Sequence, residues 1–242
     1  MPYFESRLRL NLSNLGEVEQ KLNFCRVLGI NNLIIELENG VNKITPELNE
    51  LFNRYSTFKL YYRTTINPKN LDDLKISLKK TKSISGIISV ESSDRKVQIQ
   101  AAKDSRVDML SFSTENIVKT ITPGVISLTK QNNSFIEFSL ESIMIKNKAI
   151  QSRVLRSLYR ALQLAIQLNA NYIISGNFDD VFNLRHPRAL VSVSHTLMDI
   201  PLLNAKKAFS ENVMALITRA KMRHNKNYIE PGVKLIKGGD AQ

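Results

Sequence analysis

A chain of 242 residues with 43% apolar side chains can bury a full core and has the size of one α/β barrel or of two small domains. Its 34 Lys and Arg against 22 Asp and Glu leave a formal charge of +12, more than solubility requires, so a polyanionic partner is expected, nucleic acid ahead of a membrane surface. The single cysteine, Cys25, excludes an internal disulfide framework and a thiolate zinc cluster; with no signal peptide and no apolar run long enough to span a bilayer, a soluble, cytoplasmic protein is expected.

Tyr3 to Leu10 alternates, with Phe4, Ser6, Leu8 and Leu10 on one side and Glu5, Arg7 and Arg9 on the other, which predicts a first strand. Asn14 and Glu17 have capping-box spacing, and Leu15, Val18, Leu22, Cys25 and Leu28 recur at helical intervals until Gly29. Cys25 lies on that stripe and reads as a packing residue. Asn32 to Glu38 predicts the second strand, Thr45-Pro46 opens the second helix, and Phe58 to Ile66 predicts the third strand. Asn70 caps a helix with Asp72 and Asp73 in its first turn and Lys75, Lys79 and Lys80 toward its end, as the helix dipole favours.

The run ISGIISVE ending at Glu91, the turn and N-cap residues Ser92, Ser93 and Asp94, a helix with Val97, Ala101, Ala102 and Ile99 on its apolar side, and the strand Val107 to Phe112 together predict a βαβ unit. Thr122-Pro123 can start a short helix through Leu128, and Ser134 to Leu140 predicts a sixth strand. Ala149 to Leu168 is a long amphipathic helix with Ile150, Val154, Leu158, Leu162 and Ala165 toward the core and Arg153, Arg156 and Arg160 in one sector opposite. Asn171 to Ser175 predicts a further strand before Gly176-Asn177; helices follow over Pro187 to Met198, Pro201 to Phe209, and from the N-cap Ser210 to Arg223. Strand and helix alternate about seven times, which predicts a TIM-like (β/α) barrel as one domain over residues 1–225, with a flexible basic tail over 226–242.

In such a barrel the chemistry sits at the C-terminal ends of the strands, so Glu36, Glu38, Arg63, Glu91, Asp108, Glu137, Glu141, Asn177, Asp179 and Asp180 are the positions to inspect. Glu36 and Glu38 share a strand face, the spacing of a metal or acid–base pair. Arg7 and Arg9 are paired in the same way, and a polar layer of ion pairs inside the mouth accounts for all four residues without catalysis. Histidine is scarce: His186, His195 and His224 are scattered over the C-terminal region, the first strand, FESRLRLNL, carries no His-x-His, and no phosphate-cradling glycine loop is present.

Basic ridges are the stronger signal: Arg153, Arg156 and Arg160 form one, and Arg219, Arg223 and Lys226 another, with Lys206 and Lys207 between. Each is either a solvated face or a phosphate-contacting surface. Without tryptophan or interleaved aromatic residues, contacts to the backbone and shape of a folded RNA or duplex are expected rather than base stacking.

The stretch ISGNFDDVFNLRHPRALVSVSHTLMDIPLLNAKKAFSENV, through Ser175, Gly176, Leu184, Arg185, Pro187, Leu190, Ala205, Ala208 and Ser210, resembles the C-terminal signature of the ribonuclease P protein component 3 family. Ser93, Asp94, Ala101, Ala102, Asp104, Arg106, Val107, Asp108 and Ser111 resemble that family's central block. The resemblance implies a barrel similar to metal phosphoesterase barrels of the polymerase and histidinol phosphatase type that has lost its metal site. It implies a non-catalytic subunit of the ribonucleoprotein that removes the 5′ leader of precursor tRNA, with Mg²⁺ held by the catalytic RNA and no cofactor on this chain. Expected partners are the ribonuclease P RNA, ribonuclease P protein component 2 and other subunits, and precursor tRNA, but no membrane. Arg95, Lys96, Arg106, Arg185 and Arg188 are the first expected RNA contacts, and the ridges Arg153, Arg156, Arg160 and Arg219, Arg223 the second. Each can instead serve the fold, Arg106 through Asp104 or Asp108 and Arg185 by capping a strand end. The competing readings are a metal-dependent phosphoesterase using Glu36, Glu38, Asp108 and Asp179, and a sugar-phosphate barrel enzyme binding near Gly176.

Overall fold

Seven short runs of β-branched and apolar residues each hand the chain to a helix, and parallel strands so connected close into a sheet with helices outside it. The computed structural model describes residues 2–11, 13–37, 46–81, 86–223, 228–230 and 233–234. Strands β1 (Phe4–Arg9), β2 (Asn32–Leu37), β3 (Lys59–Ile66), β4 (Ile87–Val90), β5 (Met109–Phe112), β6 (Phe135–Ser139) and β7 (Tyr172–Ser175) pair in chain order, every pair parallel. The result is a nearly closed, TIM-like barrel. Its helices are α1 (Leu15–Val27), α2 (Pro46–Arg54), α3 (Leu71–Lys80), α4 (Arg95–Lys103), α5 (Glu115–Val118), α6 (Pro123–Gln131), α7 (Lys148–Gln167), α8 (Pro187–Thr196), α9 (Leu202–Ala208) and α10 (Glu211–Arg223). None is long and apolar enough to cross a membrane.

Four of the expected caps form. Asn14 accepts from the Glu17 amide, Asn70 from that of Asp73, Asp94 from those of Lys96 and Val97, and Thr122 from that of Val125. Glu38, Thr45, His224, Lys226 and much of the expected tail lie outside the described residues; within the tail, β8 (Tyr228–Glu230) and β9 (Val233–Lys234) pair antiparallel. Three expectations need correction, the first at Leu15, which opens α1 and is 42% exposed although it falls on that helix's apolar stripe. Ile150 is 38% exposed because it sits in the first turn of α7, before that helix beds onto the barrel, and Ala161 fills the core side instead. The simple alternation of β1 also fails: its pairing with β2 shifts register between Glu5 and Leu8, so Phe4 and Arg7 both face the barrel interior while Leu8 packs outward.

The interior is divided along the barrel axis. At the N-terminal end of the strands Phe4, Ile34, Ile87, Met109, Phe135 and Ile173 form an apolar layer, and Val213, Leu216, Ile217 and Ala220 of α10 pack against it. Helix α10 thus plugs the bottom of the barrel. Arg223 fastens it there: its Nη2 lies 2.9 Å from Asp108 Oδ2 and 2.6 Å from the Gly86 carbonyl, and Arg219 Nε is 3.6 Å from Asp108 Oδ1. The seam between β1 and β7 closes through side chains. Ser6 Oγ donates to the Ile174 carbonyl (3.4 Å) and Glu5 Oε1 accepts from the Gly176 amide (3.1 Å). Glycine lets Glu5 come this close at 176: a Cβ there would meet Glu5 Oε2 at 2.6 Å and the Phe178 ring at 3.0 Å, so one of them would have to shift.

Leu216 is fully buried in this plug. Leu216→Ala should therefore lower the stability of the domain by about 2–5 kcal/mol, read as a lower urea midpoint with an unchanged m-value.

Candidate functional site

Above the apolar layer the barrel interior turns polar. Ser89 and Ser111, each two residues past an inward apolar residue on β4 and β5, and Thr65, two past Arg63 on β3, point inward because side chains alternate along a strand. They surround Arg63, the largest fully buried side chain. Arg63 forms a two-pronged pair with Glu137 of β6 (Nη1–Oε1 2.7 Å, Nη2–Oε2 2.9 Å), and its Nη2 also reaches the Thr65, Ser89 and Ser111 hydroxyls at 3.0–3.1 Å. One turn higher, Arg7 donates to both oxygens of Glu36 (2.9 and 3.0 Å) and to Glu91 (3.0 Å). Ser113 donates to the other oxygen of Glu91. At the rim Arg9 binds both oxygens of Asp179 (2.8 and 3.0 Å) and lies 3.3 Å from Glu36 and 3.6 Å from Glu141.

These charges set one another's titration. Burial alone would raise the Glu137 carboxyl, but the Arg63 and Arg7 charges and the hydrogen bonds from Arg63 and Ser111 outweigh it and hold the group at about 2. Burial likewise works against the Glu36 anion, and Arg63 and Arg7 again lower it below the ordinary carboxylate range. Glu5 has no guanidinium partner among its contacts. Burial pushes it up to about 7, against the backbone amides of Arg7, Asn177 and Gly176 that favour its anion.

The mouth opens into a cleft of about 810 Å³ whose walls include Arg7, Arg9, Glu36, Glu91, Ser92 and Asp179. The arrangement is thus the layer of ion pairs that Arg7, Arg9 and Glu36 allow, and each of these carboxylates already faces a guanidinium. Among the described residues no group of three or more His, Cys, Asp or Glu is placed to hold a metal ion. The four-carboxylate phosphoesterase site is corrected by Asp108: it precedes β5, at the opposite end of the barrel from Glu36 and Asp179, and is bound to Arg223. Arg63 and Glu137 are interior, mid-strand residues rather than rim residues. Sequence reasoning missed their pairing; the signal that could have shown it is the inward hydroxyl recurring on successive strands.

The basic residues divide by employment. Arg95 and Lys96 are exposed in the first turn of α4, beside the mouth, and Arg156 and Arg160 are exposed along α7. Arg153 pairs with Glu115 at 2.7 Å, and Arg106 forms a two-pronged pair with Asp104 (2.9 and 2.7 Å). Arg185 Nη1 donates to the Phe182 and Leu184 carbonyls, closing the loop after β7. Arg219 and Arg223 lie 20% and 15% exposed on the plug. Arg188 stands exposed at the start of α8, and His195 Nδ1 is fixed 2.8 Å from the Ile200 carbonyl.

The family profile described as RNase P subunit p30 matches residues 7–225. This chain belongs to the RNase P subunit p30 family. It is a protein subunit of ribonuclease P, as the two resembling blocks led one to expect. Ribonuclease P protein component 3 of Methanococcus maripaludis is 24% identical over 180 residues, covering 74% of this chain and 76% of that protein. The same component from another strain is 25% identical over 150 residues, covering 62% of this chain and 64% of its own length. A chain in the cryo-EM structure of archaeal ribonuclease P with mature tRNA superposes with a TM-score of 0.76 at 20% identity, over 93% of this chain and 96% of that one, which establishes the shared fold.

In this p30-family barrel, Arg63→Met should cost about 3–5 kcal/mol by stranding the Glu137 anion, and Arg63→Met with Glu137→Leu should cost much less, since both charges leave together; urea melts compare them. The two buried acids also give opposite pH slopes. Glu137, depressed to about 2 from 4.5, contributes stability above pH 4.5 that is lost as pH falls toward 2. Glu5, raised from 4.5 to about 7, contributes stability below pH 4.5 that is lost as pH rises through 7. Glu5→Gln should accordingly flatten the decline of thermal stability between pH 4.5 and 7 and leave the acid limb in place.

Proposed function

We propose that this chain binds and stabilises the catalytic RNA of ribonuclease P together with a protein partner, ribonuclease P protein component 2, in the cytoplasmic enzyme that removes the 5′ leader of precursor tRNA. The phosphodiester chemistry and its Mg²⁺ then belong to the RNA. The observation that carries this reading is the barrel mouth. Where barrel enzymes keep their reacting groups, Glu36, Glu91 and Asp179 are already engaged by Arg7 and Arg9. Arg63 and Arg7 lower Glu36 below the ordinary carboxylate range, which makes it a weak base, and a metal cation at these carboxylates would be repelled by the Arg7 and Arg9 guanidiniums beside them.

Binding then falls to the outer surface. Arg95, Lys96, Arg156 and Arg160 are exposed and suited to contact phosphates, whereas the Arg219 and Arg223 side chains hold α10. Their pairing with Asp108 gives a structural account of that ridge.

Cleavage of precursor tRNA in Mg²⁺ tests the reading: product should form with the catalytic RNA, its partner subunits and this chain, and not with this chain alone. Cleavage by the protein alone would overturn it. Arg156→Ala and Arg160→Ala should each weaken RNA binding at all sequences and reduce the salt slope by about one, whereas Arg223→Ala should lower the melting temperature first.

A further inference from the structure

The outer faces of α8 and α9 form an open furrow that neither the barrel core nor the mouth uses. Val191, Leu202 and Leu203 line it, and Arg188, His195 and Lys206 stand beside them, around a space of about 570 Å³. Leu202 and Leu203 are 45% and 56% exposed. Clustered exposed leucines are costly in water and mark a surface covered in use. The spacing is informative as well. Arg188, Val191 and His195 stand at i, i+3 and i+7 on α8, and Leu202, Leu203 and Lys206 follow within about one turn on α9, so two helices offer one continuous trough.

Among the described residues no acidic side chain lines this furrow; its charged and titratable lining residues are Tyr3, Arg188, His195 and Lys206. We propose that it receives an amphipathic helix of a protein partner, with the apolar side of that helix on Val191, Leu202 and Leu203 and its acidic side chains toward Arg188 and Lys206. The proposal rests on the reading of the chain as a ribonuclease P subunit with a protein partner, and adds the surface and the chemistry of that contact. RNA is a poorer occupant: of the two rings in the lining, Tyr3 is already stacked on Phe209 and His195 is held at the Ile200 carbonyl, and the aliphatic side chains would strip water from phosphates without replacing it. A second copy of this chain is poorer too, because two cationic linings would face each other. Arg188 thereby becomes a protein contact rather than an RNA contact.

The test titrates purified ribonuclease P protein component 2 into the full chain by calorimetry, and measures binding of the catalytic RNA to the same variants. The expected result is binding by the wild type, a loss of about tenfold or more in Leu203→Glu, and a smaller loss in Leu203→Ala. Lys206→Glu should weaken binding and reduce its salt dependence. Val27→Glu, which alters a 78% exposed apolar residue on α1, should bind component 2 as the wild type does. Unchanged RNA affinity and melting temperature in Leu203→Glu would complete the expected pattern. Equal binding of component 2 by the wild type and Leu203→Glu would overturn the furrow as its site while leaving the partner reading intact. Absence of binding by the wild type would overturn the partner reading and the furrow together. Loss of RNA affinity in Leu203→Glu with component 2 binding intact would make the surface an RNA contact and overturn the proposal.

Discussion

The Arg63–Glu137 ion pair has both side chains fully enclosed by the barrel, and the interior is arranged to make that tolerable. A guanidinium removed from water has to find its hydrogen bonds inside, or the desolvation cost exceeds what the paired carboxylate returns. The two Nη atoms of Arg63 find them on several strands at once: its own Thr65, Ser89 of β4, Ser111 of β5, Glu137 of β6, and the Ser6 carbonyl of β1. A slip of one residue in any of these strands would turn its inward side chain to the outer face. The buried charge thus penalises every alternative register, a form of specificity an all-apolar interior would lack.

Above that pair the same logic is repeated with more water. Arg7 is enclosed and bridges Glu36 and Glu91, and Arg9, at the rim, spreads over Glu36, Glu141 and Asp179. Below it the interior is apolar and closed by α10. The barrel is thus plugged at one end, and at the other its carboxylates share the Arg7 and Arg9 guanidiniums. That turns attention to the outer surface, where exposed arginines on α4 and α7 and the cationic furrow between α8 and α9 face solvent.

Much of this was legible in the residues, and the failures are local and physical. Caps at Asn14, Asn70, Asp94 and Thr122 are decided by a side-chain oxygen and amides two or three residues away, so reading them needs no tertiary information. The inward face of β1 was misread because a register shift interrupts the two-residue period, and period counting assumes an unbroken strand. Helix α5, four residues long, is too short to carry a repeat. Asp108 stands at the N-terminal side of its strand whether that strand starts at Val107 or, as observed, at Met109, so it belongs with the closed end of the barrel, where it pairs with Arg219 and Arg223 of the plug.

The amino-acid sequence by itself determined the seven strand–helix alternations, the helix caps, the single cysteine's place in a packing stripe, the positive charge and the family, because each depends on composition or on residues close along the chain. Only the tertiary structure decided which charges are available. Arg153, Arg156 and Arg160 share one helical sector in the sequence, yet Glu115 from another helix engages the first. Arg219 and Arg223 read as a basic ridge, yet Asp108, more than a hundred residues earlier, binds both. Whether a cation is solvated or buried in a pair depends on the groups that long-range folding brings beside it, and local spacing carries no record of them.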